Sequence, residues 1–177
     1  MPNTCAGCKP LTRPHGFSCR NPYVAGYEKS SPLMKKHFAR AAFAYAALAM
    51  VFGVFYREFT KFSGFTGQTT LSVMHPHYFL LGMVFCLVML IAEQLFSFMP
   101  AGKGGKILAL YHVGLNVTCL GLFLRGLAQV QGMALSRGLD ASLSGVSGIG
   151  HALLGIAMLW MLWRLYRAVD GAKARTM

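Results

Sequence analysis

Four long apolar runs, separated by short polar stretches, account for most of the chain. They cover about residues 38–56, 71–98, 107–130 and 143–166, and residues 136–142 are expected to form a loop before the fourth run. A helix needs about 20 mainly apolar residues to cross the hydrocarbon core of a bilayer, and each run is close to that length or longer. The pattern therefore predicts an all-α, polytopic membrane protein, with a bundle of four transmembrane helices in one domain over residues 34–170.

Composition and charge agree with a membrane protein. Of the 177 residues, 55% are hydrophobic and 12% are charged, and the formal net charge is +12. The basic residues of the chain form no contiguous patch of the kind that binds nucleic acid, and many of them cluster at the ends of the apolar runs. Cytoplasmic loops are enriched in such residues, so we expect both termini and the turn at 100–106 to be cytoplasmic. The residues concerned are Lys35, Lys36, Arg40, Lys103, Lys106, Arg164, Arg167, Lys173 and Arg175.

The two ends of the chain lie outside the predicted helices. Residues 1–33 are rich in Pro, Gly, Ser and Cys without helical or strand periodicity, so we expect them to be largely disordered. They include four side chains suited to tetrahedral zinc, although only one Cys-x-x-Cys pair is present: Cys5, Cys8, His15 and Cys19. Met34, followed by two lysines, is an alternative start that would make residues 1–33 a gene-model artefact. Residues 171–177 form a basic tail.

Histidines inside the apolar runs are the main functional candidates, because ionisable residues in transmembrane segments are rare and usually functional. At a rise of 1.5 Å per residue, His77 lies about 9 Å and His151 about 12 Å from the outer ends of their helices, so the two can meet across the bundle. By the same count His112 lies about 8 Å from the inner end of its helix and belongs to another site.

Two imidazoles on facing helices at similar depth are the ligands that a six-coordinate haem iron requires. The sequence therefore predicts haem b bound by His77 and His151, with Arg57 and Arg125 as candidate partners of the propionates. One alternative is copper or zinc, with His75 as an additional ligand, although His75 and His77 point in different directions on a regular helix. Another alternative is that the histidines only form hydrogen bonds with Ser, Thr or Asn on neighbouring helices.

Further polar residues belong to the predicted core. His112 and Asn116 are four residues apart and share one helix face, which should point into the bundle. Glu93 is the next acidic or basic residue along the chain after His77, so it joins these side chains as a candidate for a polar path through the membrane.

Several short motifs stand out along the chain: FYREFTK (55–61), GFTGQT (64–69), HPH (75–77), LGM (81–83), SRGLDAS (136–142) and GIGH (148–151). Together they resemble a family of short bacterial inner-membrane proteins catalogued as a domain of unknown function. The resemblance covers about residues 34–167 and implies a multi-pass protein of the bacterial inner membrane. A looser similarity, in the His-x-His at a helix start and a histidine on a later helix, links the chain to the haem-bearing subunit of haem-copper and nitric-oxide reductases. It implies haem b but not oxygen reduction, because no copper-site cluster of three histidines is present.

These observations favour a haem b protein of electron transfer or of redox or gas sensing, embedded in the lipid bilayer with a respiratory-chain or homo-oligomeric partner. A haem or metal carrier without turnover is one alternative. A small transporter, or an assembly factor for a respiratory complex, is another. The sequence contains no nucleophile–base pair and no phosphate-binding loop, so hydrolase and kinase chemistry is unsupported, while an oxidoreductase component stays open.

Overall fold

The computed structural model describes residues 32–100 and 103–173. Within these residues the protein is all-helical, and four helices are long and apolar enough to cross a membrane. We label them α1 (Pro32–Phe62), α2 (Thr70–Phe96), α3 (Lys103–Val130) and α4 (Arg137–Lys173). The predicted all-α, four-helix membrane architecture is confirmed. The candidate zinc ligands in residues 1–31 lie outside the described residues.

Three helices begin four or more residues earlier than the apolar pattern predicts, α1 at Pro32, α3 at Lys103 and α4 at Arg137. α1 starts at Pro32, where the missing N–H of proline leaves no helical hydrogen bond unmade. α4 starts at Arg137, so residues 137–142, predicted as a loop, are helical. Ser136 explains the difference, because its Oγ accepts a hydrogen bond from the Leu139 N–H at 3.3 Å and so caps the first turn.

α2 is not a uniform helix. It opens with a 3₁₀ turn (Thr70–Val73), continues through Met74–Pro76 and a π-helical stretch (His77–Val84), and becomes a regular α-helix only over Phe85–Phe96. Pro76 lacks the N–H that would continue the regular ladder, and the N–H of the next residue bonds to the carbonyl three residues back. π-Helical turns are rare and often occur at functional sites. Here the irregular stretch begins at a candidate ligand.

α3 and α4 pack against each other at backbone contact distance through glycines. A Cβ atom built on Gly114 would lie 2.5 Å from the Leu154 nitrogen, and one built on Gly150 would lie 2.7 Å from the Thr118 nitrogen. Small residues permit this approach in membranes, where dispersion contacts drive helix association. α1 and α2 form the other close pair, since Gly82 packs directly on the Tyr45 side chain.

The loop between α1 and α2 is fixed on α3 by threonines. Thr69 Oγ1 donates to the Gly126 carbonyl at 3.1 Å, and Thr70 Oγ1 donates to the Leu122 carbonyl at 2.7 Å. These bonds fix the start of α2 relative to the other helix pair. We call the end of the bundle with this loop the Gly64 end, and the opposite end, where α1 begins and α4 finishes, the Arg164 end.

Candidate functional site

His77 of α2 and His151 of α4 face each other in the half of the bundle nearer the Gly64 end. Their ring centroids are 6.0 Å apart, and the ring planes are inclined at 86°. His77 is half-buried, whereas His151 is exposed on the surface of the bundle. The structure thus brings together the two histidines that the sequence selects as a pair.

The backbone fixes the tautomer of both rings. His77 Nδ1 lies 2.7 Å from the Val73 carbonyl oxygen, and His151 Nδ1 lies 2.9 Å from the Ser147 carbonyl oxygen. A carbonyl oxygen can only accept, so Nδ1 carries the proton in each ring and Nε2 keeps its lone pair. A histidine that binds a metal usually donates its other ring N–H to a carbonyl or carboxylate in this way. In both rings the lone pair that a ligand could use is therefore on Nε2.

His75 belongs to a different environment. Its Nδ1 lies 2.8 Å from the Ala49 carbonyl oxygen of α1, and its ring stacks on Phe79 and packs beside Gly53. Nowhere in residues 32–100 and 103–173 do three or more His, Cys, Asp or Glu side chains form a group that could hold a metal ion. The three-histidine copper or zinc site considered from the sequence is not assembled there.

The two arginines considered as propionate partners have other contacts. Arg57 is 80% exposed, and its Nε lies 3.8 Å from Glu58 Oε1, which makes a weak surface pair. Arg125 is more buried, and its Nη2 donates to Asp140 Oδ1 and to Ser144 Oγ, each at 2.5 Å. Arg125 thus joins α3 to the first turns of α4.

A second polar cluster connects three helices. His112 and Asn116 share one face of α3, as the sequence predicts, and meet Tyr45 of α1 and Tyr78 of α2. The Tyr45 hydroxyl lies 2.8 Å from His112 Nδ1, and Asn116 Nδ2 donates to the same hydroxyl at 3.1 Å. The Tyr78 hydroxyl donates to Asn116 Oδ1 at 3.2 Å. Sequence reasoning overlooked both tyrosines, although a tyrosine in mid-membrane signals a hydroxyl that needs a partner.

Glu93 is fully buried near the Arg164 end. Its Oε2 accepts a hydrogen bond from the Met99 N–H at 2.9 Å, while Oε1 has no hydrogen-bond partner among the described residues. Ser97, between the two, adopts a left-handed conformation with φ 47°. Glu93 therefore holds the chain where it leaves α2, away from the His77–His151 pair.

Comparison with protein families finds a match that covers most of the chain. A family model described as "Protein of unknown function (DUF2871)" matches residues 34–168. Neither the comparison with curated proteins nor the comparison with solved structures finds a match. The expected similarity to the haem-bearing subunit of haem-copper and nitric-oxide reductases is therefore not supported.

Proposed function

Because the chain belongs to the DUF2871 family, whose description assigns no activity, we propose its function from the geometry of the His77–His151 pair. The proposed function is to bind haem b in the membrane, where His77 and His151 would hold the iron and the haem would supply one-electron transfer. The observation that carries the proposal is the facing pair itself, with both Nε2 atoms left free to coordinate.

The spacing of the rings suits one shared iron. A metal–imidazole bond is about 2 Å long and the ring centre lies about 1 Å behind the bonding nitrogen, so two axial imidazoles place their centroids about 6 Å apart. The observed separation is 6.0 Å. Cβ atoms built on Gly148 and Gly155, one turn before and after His151, would have no neighbour within 4 Å, so the surface of α4 beside His151 is open.

The number of ligands favours haem over a bare ion. Structural zinc sites take four protein ligands and catalytic zinc sites take three, whereas the porphyrin supplies four nitrogens and asks the protein for only two. The described residues offer His77 and His151 at this position, while His75 is bonded to α1. Iron with two imidazole ligands keeps no open position, which suits electron transfer better than oxygen chemistry. If His151, the more exposed ligand, can leave, the same site would sense a small gas.

The membrane setting follows from the charges. Eight of the lysines and arginines that mark helix ends belong to the Arg164 end, so we propose that this end is cytoplasmic and that the protein lies in the bacterial inner membrane. They are Lys35, Lys36, Arg40, Lys103, Lys106, Arg164, Arg167 and Lys173. The haem would then lie in the outer half of the bilayer.

Titration of haemin into the full-length, detergent-purified protein tests the proposal. We expect saturation at about one haem per chain, and at least a tenfold loss of affinity in His77→Ala and in His151→Ala. His75→Ala and His112→Ala are matched controls that remove a membrane histidine elsewhere and should bind haem normally. Haem loss in His112→Ala, with normal binding by both pair variants, would overturn the assignment.

A further inference from the structure

An open groove of about 400 Å³ lies between α1 and α3, in the half of the bundle nearer the Arg164 end. It is separate from the His77–His151 pair. Its polar wall consists of His37, Arg40, Tyr45, His112 and Asn116, and its apolar wall consists of Ala41, Ala44 and Leu48. The chemistry of the two walls indicates what the groove can bind.

The hydrogen-bond network presents a donor on His112. Tyr45 Oη accepts from Asn116, so its own hydrogen finds an acceptor only if it donates to His112 Nδ1. This assignment gives the hydroxyl hydrogens of both tyrosines and the amide hydrogens of Asn116 a partner each, and it places the ring proton of His112 on Nε2, outside the network. Asn116 is held in turn, because it also donates to the His112 carbonyl at 2.8 Å and accepts from Tyr78. His112 thus offers an N–H, whereas His77 and His151 offer lone pairs.

The rest of the polar wall is cationic and donating. Arg40 and His37 are exposed, and neither has a hydrogen bond or an ion pair within the described part of the chain. No carboxylate lines the groove. A permanent positive charge, together with the N–H groups of two imidazoles, matches an anion whose oxygens accept several hydrogen bonds.

The apolar wall runs along α1 toward the middle of the membrane. Ala41, Ala44 and Leu48 are spaced by three and four residues, so they form one continuous stripe on the helix. Such a stripe, with two small side chains, leaves a channel that an alkyl chain can follow. A soluble anion would use only the polar wall, whereas an amphiphile would use both.

We propose that this groove binds an anionic phospholipid, with its phosphate on Arg40 and His112 and an acyl chain along Ala41, Ala44 and Leu48. Basic pockets between transmembrane helices on the cytoplasmic side are typical sites for anionic lipid head groups. Tyr45 is a positioning residue, because its hydroxyl sets which nitrogen of His112 carries the proton. The site does not depend on haem, so it can be tested whether or not haem binds.

Native mass spectrometry of the full-length protein in detergent tests the site with phosphatidylglycerol and phosphatidylcholine of equal chain length. We expect phosphatidylglycerol to bind at least fivefold more tightly, and Arg40→Gln to remove this preference. Lys106→Gln is the matched control, since Lys106 is an exposed cation at the same end that does not line the groove. Tyr45→Phe should weaken binding less than Arg40→Gln, with a change in the ¹⁵N shifts of the His112 ring.

Three results would overturn the proposal. Equal binding of the two lipids would remove the role of the anionic head group. An equal loss of phosphatidylglycerol binding in Lys106→Gln and Arg40→Gln would show that the lipid is attracted to the basic end of the bundle as a whole. Displacement of phosphatidylglycerol by an equal concentration of inorganic phosphate would show a soluble anion site without an acyl channel.

Discussion

His77 and His151 face each other at a ring-centroid distance of 6.0 Å, and each ring donates its Nδ1 proton to the carbonyl four residues earlier on its own helix. Each helix therefore supplies both a ligand and the acceptor that fixes the ligand's tautomer. The pair depends on the course of the α2 and α4 backbones and needs no third side chain.

The irregular start of α2 should matter for haem binding. In Pro76→Ala the restored N–H allows the helix to continue regularly, which would rotate His77 away from His151. We expect about a tenfold loss of haem affinity, close to 1.4 kcal/mol, with unchanged helix content by circular dichroism. Pro100→Ala, outside α2, should bind haem normally. Wild-type affinity in Pro76→Ala would show that the π-helical stretch does not orient the ligand.

The close packing of α3 on α4 predicts a difference between two glycines. The added methyl group of Gly114→Ala would overlap the Leu154 backbone, and such overpacking costs about 1–3 kcal/mol. A Cβ on Gly145 of α4 would contact nothing within 4 Å, so Gly145→Ala should not lower the free energy of unfolding and should raise it by up to about 1 kcal/mol. Thermal unfolding in detergent, followed by circular dichroism, measures the stability of both variants. Equal stability of Gly114→Ala and Gly145→Ala would contradict the close approach of α3 and α4.

Most of the fold could be predicted from the sequence, because the bilayer imposes the length and apolarity of each helix. Helix ends were less predictable, since they depend on single caps such as Ser136, whose effect is local and does not show in an apolar pattern. The π-helical stretch could not be foreseen either. Pro76 indicates a disturbance but does not say whether the chain responds with a kink, a 3₁₀ turn or a π turn.

The proximity of His77 and His151 could be predicted from the sequence, but the other contacts of the candidate residues could not. Residues counted from each helix end, at a rise of 1.5 Å per residue, give the depth of a side chain in the membrane, and this depth is similar for His77 and His151. The depth alone does not show which side chains contact each other across the bundle, because these contacts depend on how the helices are rotated and paired. Arg125 was placed correctly at the Gly64 end, but its contact with Asp140 was missed because residues 137–142 were predicted as a loop. The partners of Tyr45 were missed for the same geometric reason.

Glu93 should stabilise the protein through its hydrogen bond to Met99. Glu93→Ala leaves a buried N–H without a partner, which should cost about 1–3 kcal/mol of unfolding free energy. Glu93→Gln keeps a side-chain oxygen that can accept the same bond, so it should lose much less. Chemical unfolding of both variants in detergent tests this prediction, which fails if the two lose the same stability.

The Arg125–Asp140 pair should contribute modestly to stability and not to haem binding. Arg125 is 28% and Asp140 is 53% exposed, so water and salt weaken the pair. A double-mutant cycle with Arg125→Gln and Asp140→Asn should give a coupling of about 0.5–1 kcal/mol that falls at high salt. Haem affinity should not change. A large loss of haem in Arg125→Gln would instead make Arg125 a propionate partner.

The central claim is that His77 and His151 hold one haem, and the visible spectrum of the full-length protein tests it most directly. The protein would be purified in detergent after expression with added haem, and its absorption recorded when oxidised and after reduction with dithionite. The account predicts sharp reduced α and Soret bands, typical of low-spin b-type haem with two axial ligands. A flat visible spectrum, under conditions in which a control haem protein loads fully, would contradict it.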